Sequence, residues 1–202
     1  AESFWPILKA GLMYTIPLSL ISFIIALVIA VIAALMKLSH IKVLNIIAGL
    51  YIWVFRGTPL LVQLFIVFYG LPYAGIEMTP WVAAIATFAL NTGAYAAESI
   101  RASVLAIPKG QWEAAESLGM SYWQMLFRII APQTFRISLP PITNDFIDLV
   151  KGTSLAASIT IAEMLMVGQQ ITARTYEPLA VYLVVAAVYL LFVTVLTYVQ
   201  SI

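Results

Sequence analysis

Apolar residues along this chain recur in long runs separated by short polar breaks, and the lengths of those runs set the expected elements. A helix needs about 20 largely apolar residues to cross a bilayer. The first run, Leu12 to Met36, predicts a span over 12–36, closed by Lys37, His40 and Lys42. The second opens at Val43 and is interrupted by Arg56-Gly57-Thr58-Pro59. Proline removes a backbone donor and disfavours helix at the residue before it. Residues 43–55 are therefore expected as a helix near the cytoplasmic interface, and 59–72 as the second span. Gly70, Pro72, Gly75 and Pro80 mark a turn region, followed by a third span over 80–100. Polar residues return between Arg101 and Arg136, with Pro108 and Gly110 as breakers. A fourth span is expected over 137–158, opening at Leu139-Pro140-Pro141, then a short helix over 159–170, an external loop over 171–178 and a fifth span over 179–202. The expected fold is an all-α integral membrane protein of five transmembrane helices, in one membrane domain over 1–202. No internal repeat is visible, so two-fold symmetry would need a second chain.

Charge orients this layout. Lys37, Lys42, Arg56, Arg101, Lys109, Arg128 and Arg136 all fall on one side of it. The other side carries Lys9 and Arg174, with Glu2, Glu77 and Glu177 beside them. Cationic loops stay in the cytoplasm, so the N-terminus is expected outside and the C-terminus inside. Trp5, Tyr14, Trp53, Tyr73, Trp81, Tyr122, Trp123 and Tyr176 lie near proposed span ends, as interfacial aromatics do.

Composition narrows the chemistry. The chain is 63% hydrophobic and 9% charged, with a mean hydropathy of +1.01. A net charge of +1 carries no nucleic-acid signature. The absence of Cys excludes disulfides, thiolate metal sites and a Cys nucleophile, and a lone His40 cannot build a His cluster. Ala1 in place of Met, and an end at Ile202 inside an apolar run, are expected to be trimmed ends.

One stretch stands apart from its surroundings. Glu113-Ala114-Ala115-Glu116-Ser117-Leu118-Gly119-Met120 is a polar, helix-forming insert between membrane segments. Gly119 is placed to end that helix in a left-handed cap. Ser121 is placed to start the next, with Gln124 as capping-box partner. Two short helices joined at a glycine make a rigid knob with small alanine faces, which a partner's groove can approach closely. An ordinary interfacial loop with two helices is the competing reading from composition alone.

Glu113-Ala114-Ala115, Gly119, Ile129 and Pro132 together resemble the Glu-Ala-Ala loop of ABC importer permeases. Ala131 stands where that family usually has Leu. The run Arg56-Gly57-Thr58-Pro59-Leu60-Leu61-Val62-Gln63-Leu64 resembles a segment of the polar amino-acid permeases. So do Asn91-Thr92-Gly93-Ala94-Tyr95-Ala96-Ala97-Glu98, Pro108-Lys109-Gly110-Gln111-Trp112-Glu113 and Leu149-Val150-Lys151-Gly152-Thr153-Ser154-Leu155-Ala156. Phe4-Trp5-Pro6-Ile7-Leu8, Tyr14-Thr15-Ile16-Pro17-Leu18 and Phe68-Tyr69-Gly70-Leu71-Pro72 look most like the cystine permeases of that subfamily. The resemblance implies the five-span, N-out type I ABC importer permease fold, in a bacterial cytoplasmic membrane. It also implies pairing with a second permease subunit, expected as a homodimer, above a dimer of ATP-binding subunits, with an extracellular or periplasmic solute-binding protein delivering substrate. The 101–136 region would then hold the coupling helix, with Gln111, Glu113, Ala114, Ala115 and Gly119 meeting the ATPase. No cofactor is expected on this chain. ATP and Mg would sit on the partner, since no Gly-Lys-Ser/Thr phosphate loop is present and the chain cannot hydrolyse ATP alone.

Ionisable residues at bilayer depth are costly and usually face a cavity or a bundle interior. Asn91, Tyr95 and Glu98 share one face of the third span. Asn144, Asp148 and Lys151 have the same spacing on the fourth, with Asp145 beside them, and Gln63 lies in the second. A transported amino acid needs an acceptor for its ammonium and a donor for its carboxylate, so these eight residues are the candidate substrate path. Gly152, Thr153 and Ser154 would suit a broken helix. The family usually has an acid where this chain has Gly152 and a neutral polar residue near Asp148, so the acid is displaced by one turn. The competing reading is mutual neutralisation of Glu98 with Arg101 and of Asp148 with Lys151, both three residues apart. Arg56 is read as holding the interface or a phosphate-rich lipid surface. Met120, Met125, Met164 and Met166 are read as packing residues. The leading function is the membrane subunit of an ATP-driven importer of a polar amino acid, cystine first. An ion-gradient-driven secondary transporter with Glu98 and Asp148 as relay is the alternative, and an intramembrane enzyme ranks last because Ser154 has no evident base.

Overall fold

The computed structural model describes residues 3–200, which form helices joined by short turns and, among the described residues, no strands. Eight helices organise the chain: α1 Phe4–Leu38, α2 Lys42–Gly57, α3 Leu60–Ala74, α4 Pro80–Leu105, α5 Lys109–Ser117, α6 Tyr122–Ile159, α7 Met164–Thr175 and α8 Pro178–Gln200. Two of them, α1 and α8, are long and apolar enough to cross a membrane by themselves. The pairs α2–α3 and α6–α7 qualify only when each is joined across its bend, of 106° and 51° respectively. At 26 residues α4 is about 39 Å long at 1.5 Å per residue. Its polar positions, Asn91, Glu98 and Arg101 among them, lower its hydropathy.

Three π-turns interrupt the long helices, at Gly11–Thr15, Ile66–Gly70 and Leu126–Ile130, and each ends two residues before a proline: Pro17, Pro72 and Pro132. A proline inside a helix strands the carbonyl four residues back and pushes its ring against it. Widening the preceding turn lets carbonyls pair five residues on. Ile16 N–H reaches Gly11 O, Leu71 N–H reaches Ile66 O and Ala131 N–H reaches Leu126 O in this way.

The central contact is α1 against α4, built from small residues. Ala30 and Ala33 meet Ala96 and Ala97, closed by Ile52 of α2. Gly93 lies so close to α1 that a β-carbon there would come within 3.2 Å of Ala26 O, 3.1 Å of Ile29 Cγ2 and 3.0 Å of the Tyr51 hydroxyl. Lipid-embedded helices gain by this intimate van der Waals packing, because burying larger apolar groups brings little when the solvent is itself apolar. A second cluster joins Leu18, Leu64, Phe88, Leu149 and Ile159 across α1, α3, α4 and α6. A third joins Ile7 and Ala10 of α1 to Met164 of α7 and to Val181, Val185 and Val188 of α8. Outward positions such as Ile24, Val28, Ile32, Leu183 and Leu190 stay exposed and apolar, as a lipid-facing surface requires.

Four expectations are corrected. The first span begins near Phe4, not Leu12, because helix over Phe4–Ala10 runs unbroken through the π-turn at Gly11–Thr15 into the expected segment. The fourth span does not open at Leu139-Pro140-Pro141; both prolines sit inside α6, which starts at Tyr122. They cost the helix two N–H groups, and the flanking Arg136, Ile137 and Leu139 are exposed. The short helix expected over 159–170 begins only at Met164, after Thr160 turns the chain with φ +71°. The external loop expected over 171–178 shrinks to Tyr176 and Glu177, because α7 runs to Thr175 and Tyr176 caps it in the left-handed region at φ +57°. Glu2 and the last two residues of the fifth span lie outside the described residues.

Candidate functional site

The polar insert folds as its sequence predicts. Pro108 opens α5 without losing an intrahelical bond. At the other end Met120 N–H bonds Ala115 O at 3.2 Å and Gly119 N–H bonds Glu116 O at 2.9 Å, with Gly119 at φ +72°. That is the Schellman arrangement, which only a residue tolerant of positive φ closes without strain. Ser121 and Gln124 form the reciprocal capping box that starts α6. Gln111, Glu113, Ala114, Glu116, Ser117 and Leu118 are exposed, whereas Ala115 is buried. Of the two alanines, Ala114 is thus exposed and Ala115 packs inward. Behind the knob, the rings of Trp112 and Tyr122 stack at 6.3 Å, and Gln133 Nε2 donates to Gln111 Oε1 at 3.4 Å. These contacts fasten α5 to the base of α6, the helix that carries Asp145 and Asp148.

The eight candidate path residues separate into three groups. Gln63 and Asn91 serve the elbow between α2 and α3. The last carbonyls of α2 have no helical partner, because Thr58 is extended before Pro59. Gln63 Nε2 donates to Phe55 O at 2.9 Å, Thr58 O at 3.1 Å and Thr58 Oγ1 at 2.7 Å. Asn91 Nδ2 donates to Phe55 O at 3.1 Å and Gln63 Oε1 at 3.0 Å. Four hydrogen-bonding partners on two amides thereby pin a sharp bend to α4.

In the second group Tyr95 and Glu98 line a cleft of about 440 Å³ between α4, the end of α2 and the middle of α6, and Asp145 lies beside it. Tyr95 lies under Arg56, whose guanidinium carbon is 5.2 Å from the ring centroid. Glu98 is paired with Arg101, with Nε donating to Oε2 at 2.9 Å. Asp145 Oδ2 accepts from Ser99 Oγ at 3.3 Å, which links α6 to α4. The third group is the rest of α6's candidates: Asp148 and Lys151 pair at 2.6 Å, both well exposed in the single chain. Asn144 points to α8, where Gln200 Nε2 donates to its Oδ1 at 3.5 Å. The helix does not break at Gly152-Thr153-Ser154; it tightens into a 3₁₀ segment over Thr153–Ile159.

Sequence reasoning passed over Glu163. Its side chain is fully buried at the joint between α6 and α7. One carboxylate oxygen accepts from Met166 N–H at 2.9 Å, capping α7, and the other accepts from the Tyr189 hydroxyl of α8 at 2.7 Å. An acid in an otherwise apolar stretch was itself the available signal. Among the described residues no group of three His, Cys, Asp or Glu is placed to hold a metal ion.

The chain is thus a bundle of bent, small-residue-packed helices with a self-capped polar knob at one end. Residues 26–202 match the family of binding-protein-dependent transport system inner membrane components, and the chain belongs to it. It is 46% identical over its full length to the L-cystine transport system permease protein TcyB of Bacillus subtilis (strain 168), covering 86% of that protein. It is 40% identical to the nopaline transport system permease protein NocM of Agrobacterium fabrum, over 94% of this chain and 82% of that one. Among solved structures, an amino acid ABC transporter crystallised with histidines superposes with a TM-score of 0.93 at 34% identity, covering 98% of this chain and 92% of that one. An inward-facing MetNI methionine ABC transporter shares the fold, with a TM-score of 0.77 at 17% identity over 100% of this chain and 95% of that one. The fold is therefore that of a type I ABC importer permease, an inner-membrane subunit. An ATP-driven importer replaces the ion-gradient alternative.

Proposed function

We propose that this chain forms the translocation path of an importer for a polar α-amino acid, L-cystine first, and that it works as a pair of permease subunits. The observation that carries this reading is the joining of an exposed, self-capped knob to the helix that carries Asp145 and Asp148. The N-terminus lies outside and the C-terminus inside, as the distribution of Lys and Arg favours. A solute-binding protein delivers the amino acid on the outer side. Two ATPase subunits below hold ATP and Mg, and this chain holds no cofactor. Gln111, Glu113, Ala114 and Gly119 meet the ATPase, and buried Ala115 sets the knob's angle. Closing of the ATPase dimer brings the two knobs together, and α6 carries that motion to the polar cleft. Only a difference in binding free energy between two states has to be transmitted. Tyr95, Glu98, Asn144, Asp145, Asp148 and Lys151 line the path, while Gln63 and Asn91 hold the elbow that shapes it. Cystine is favoured by the name of the 46%-identical relative and by the similarity of the 4–8, 14–18 and 68–72 segments to cystine permeases.

Two substitutions test the coupling. Gly119→Asp keeps a residue that tolerates positive φ yet places a charge on the knob, and Glu113→Lys reverses one there. Both variants are expected to assemble in the membrane and retain ATP hydrolysis while amino-acid uptake falls at least tenfold. Uptake at the wild-type rate in both would refute the role given to the knob.

A further inference from the structure

The charges around the cleft do not balance among themselves. Among the described residues two ion pairs form, Glu98 with Arg101 and Asp148 with Lys151. Arg56 is left with an aromatic face and no carboxylate, and Asp145 with a serine hydroxyl and no cation. Arg56 lines the cleft, and Asp145 lies beside it, joined to the lining residue Ser99. Arg56, Ser99 and Pro141 line it, and Asp145 follows one turn after Pro141 on α6 with its carboxylate on Ser99. The volume, about 440 Å³, falls within the roughly 300–1,000 Å³ of small-molecule sites. A guanidinium presents a planar fork of donors suited to a carboxylate, and lying over a tyrosine ring it is pre-aimed at low entropic cost.

We propose that this cleft is a binding station for a zwitterionic α-amino acid, with Arg56 receiving the carboxylate and Asp145, positioned by Ser99, receiving the ammonium. This rests on the importer reading above and adds to it a residue, Arg56, that the path did not include. The cleft runs along α4 from Tyr95 to Ala106, next to the start of α5, so the station stands at the knob end of the path. It is the last site before release, and it can be reached from that side without the solute-binding protein. An anionic ligand is the poorer match, since Glu98 and Asp145 would both repel it.

The test uses the permease–ATPase complex in lipid nanodiscs, without solute-binding protein. Equilibrium binding is measured for L-cystine, L-glutamine and L-arginine, for their carboxamides, which lack the carboxylate, and for their N-acetyl forms, which lack the ammonium. At least one free amino acid is expected to bind, and both of its derivatives at least tenfold more weakly. Arg56→Gln should weaken the free amino acid at least tenfold yet leave the carboxamide as in wild type, and Asp145→Asn should do the same for the N-acetyl form. Arg56→Lys, which keeps the charge, should restore most of the affinity and shows that the elbow still folds. The proposal is overturned if no free amino acid binds, if Arg56→Gln weakens carboxamide and amino acid alike, or if a phosphate-headed lipid competes and the amino acid does not. ATP hydrolysis stimulated by loaded solute-binding protein is measured on the same preparations. If it is intact while the binding pattern fails, the importer stands and the station falls.

Discussion

Asn91→Asp separates two roles that one residue could fill. In the structure the Asn91 amide gives both its hydrogens to acceptors, Phe55 O and Gln63 Oε1. An aspartate has no hydrogen to give when ionised, and its oxygen would face two acceptors at about 3 Å in a nearly closed pocket. Interhelical hydrogen bonds in membrane proteins average about 0.6 kcal/mol and reach about 1.7 kcal/mol, so losing two costs about 1–3 kcal/mol. A buried acceptor left unpaired adds about 1–3 kcal/mol. Asn91→Asp is therefore expected to destabilise by about 2–6 kcal/mol, and Asn91→Leu by less, because leucine brings no new acceptor. Gln63→Leu in the same background should be less than additive, since the two amides share one network. The assay is unfolding of the purified permease–ATPase complex in detergent, followed by thermal melting and by SDS titration. The result that refutes the reasoning is an Asn91→Asp subunit as stable as wild type with a raised KM for uptake, which would place the amide on the substrate instead of the elbow.

Other substitutions test the packing. Gly93→Val should prevent stable insertion or lower the melting temperature sharply, because three atoms, one of them the Ala26 carbonyl, already stand within 3.2 Å of its β-carbon position; melting of the membrane-extracted subunit reads this directly. Glu163→Ala removes the cap of α7, worth about 1 kcal/mol, and strands the Tyr189 hydroxyl, for a total of about 2–4 kcal/mol, whereas Glu163→Gln keeps an acceptor and should cost about 1 kcal/mol. The ratio of those two losses, measured by SDS unfolding, checks the assignment. Gly119→Ala should cost about 1 kcal/mol locally by forcing alanine to positive φ, and amide exchange confined to 115–121 should report it.

Much of the polar knob was legible because its signals are local. A helix former run, a glycine and a Ser-x-x-Gln box act over three or four residues, and each appears where the chain implies. The elbow at Thr58-Pro59 was legible for the same reason. What escaped was tertiary. The π-turns that end two residues before Pro17, Pro72 and Pro132 leave no mark in composition, so the sequence did not foretell them. Pro140 and Pro141 sit inside α6 despite two missing N–H groups and exposed neighbours, and nothing in the composition marks that. Spacing put Asn91, Tyr95 and Glu98 on one face correctly, yet it could not reveal that Asn91 turns to the α2–α3 elbow while Tyr95 turns to Arg56. Glu163 was overlooked because a buried acid with a cap and a tyrosine partner looks, in sequence, like one more polar interruption.

The most direct test of the account is ATP hydrolysis by this chain with its ATPase partner in lipid, titrated with solute-binding protein in empty and cystine-loaded forms. The account predicts that the permease and ATPase co-purify and that the loaded binding protein stimulates hydrolysis several-fold over the empty one. Failure of any ATPase to associate with the intact knob, or hydrolysis indifferent to every loaded binding protein, would contradict it.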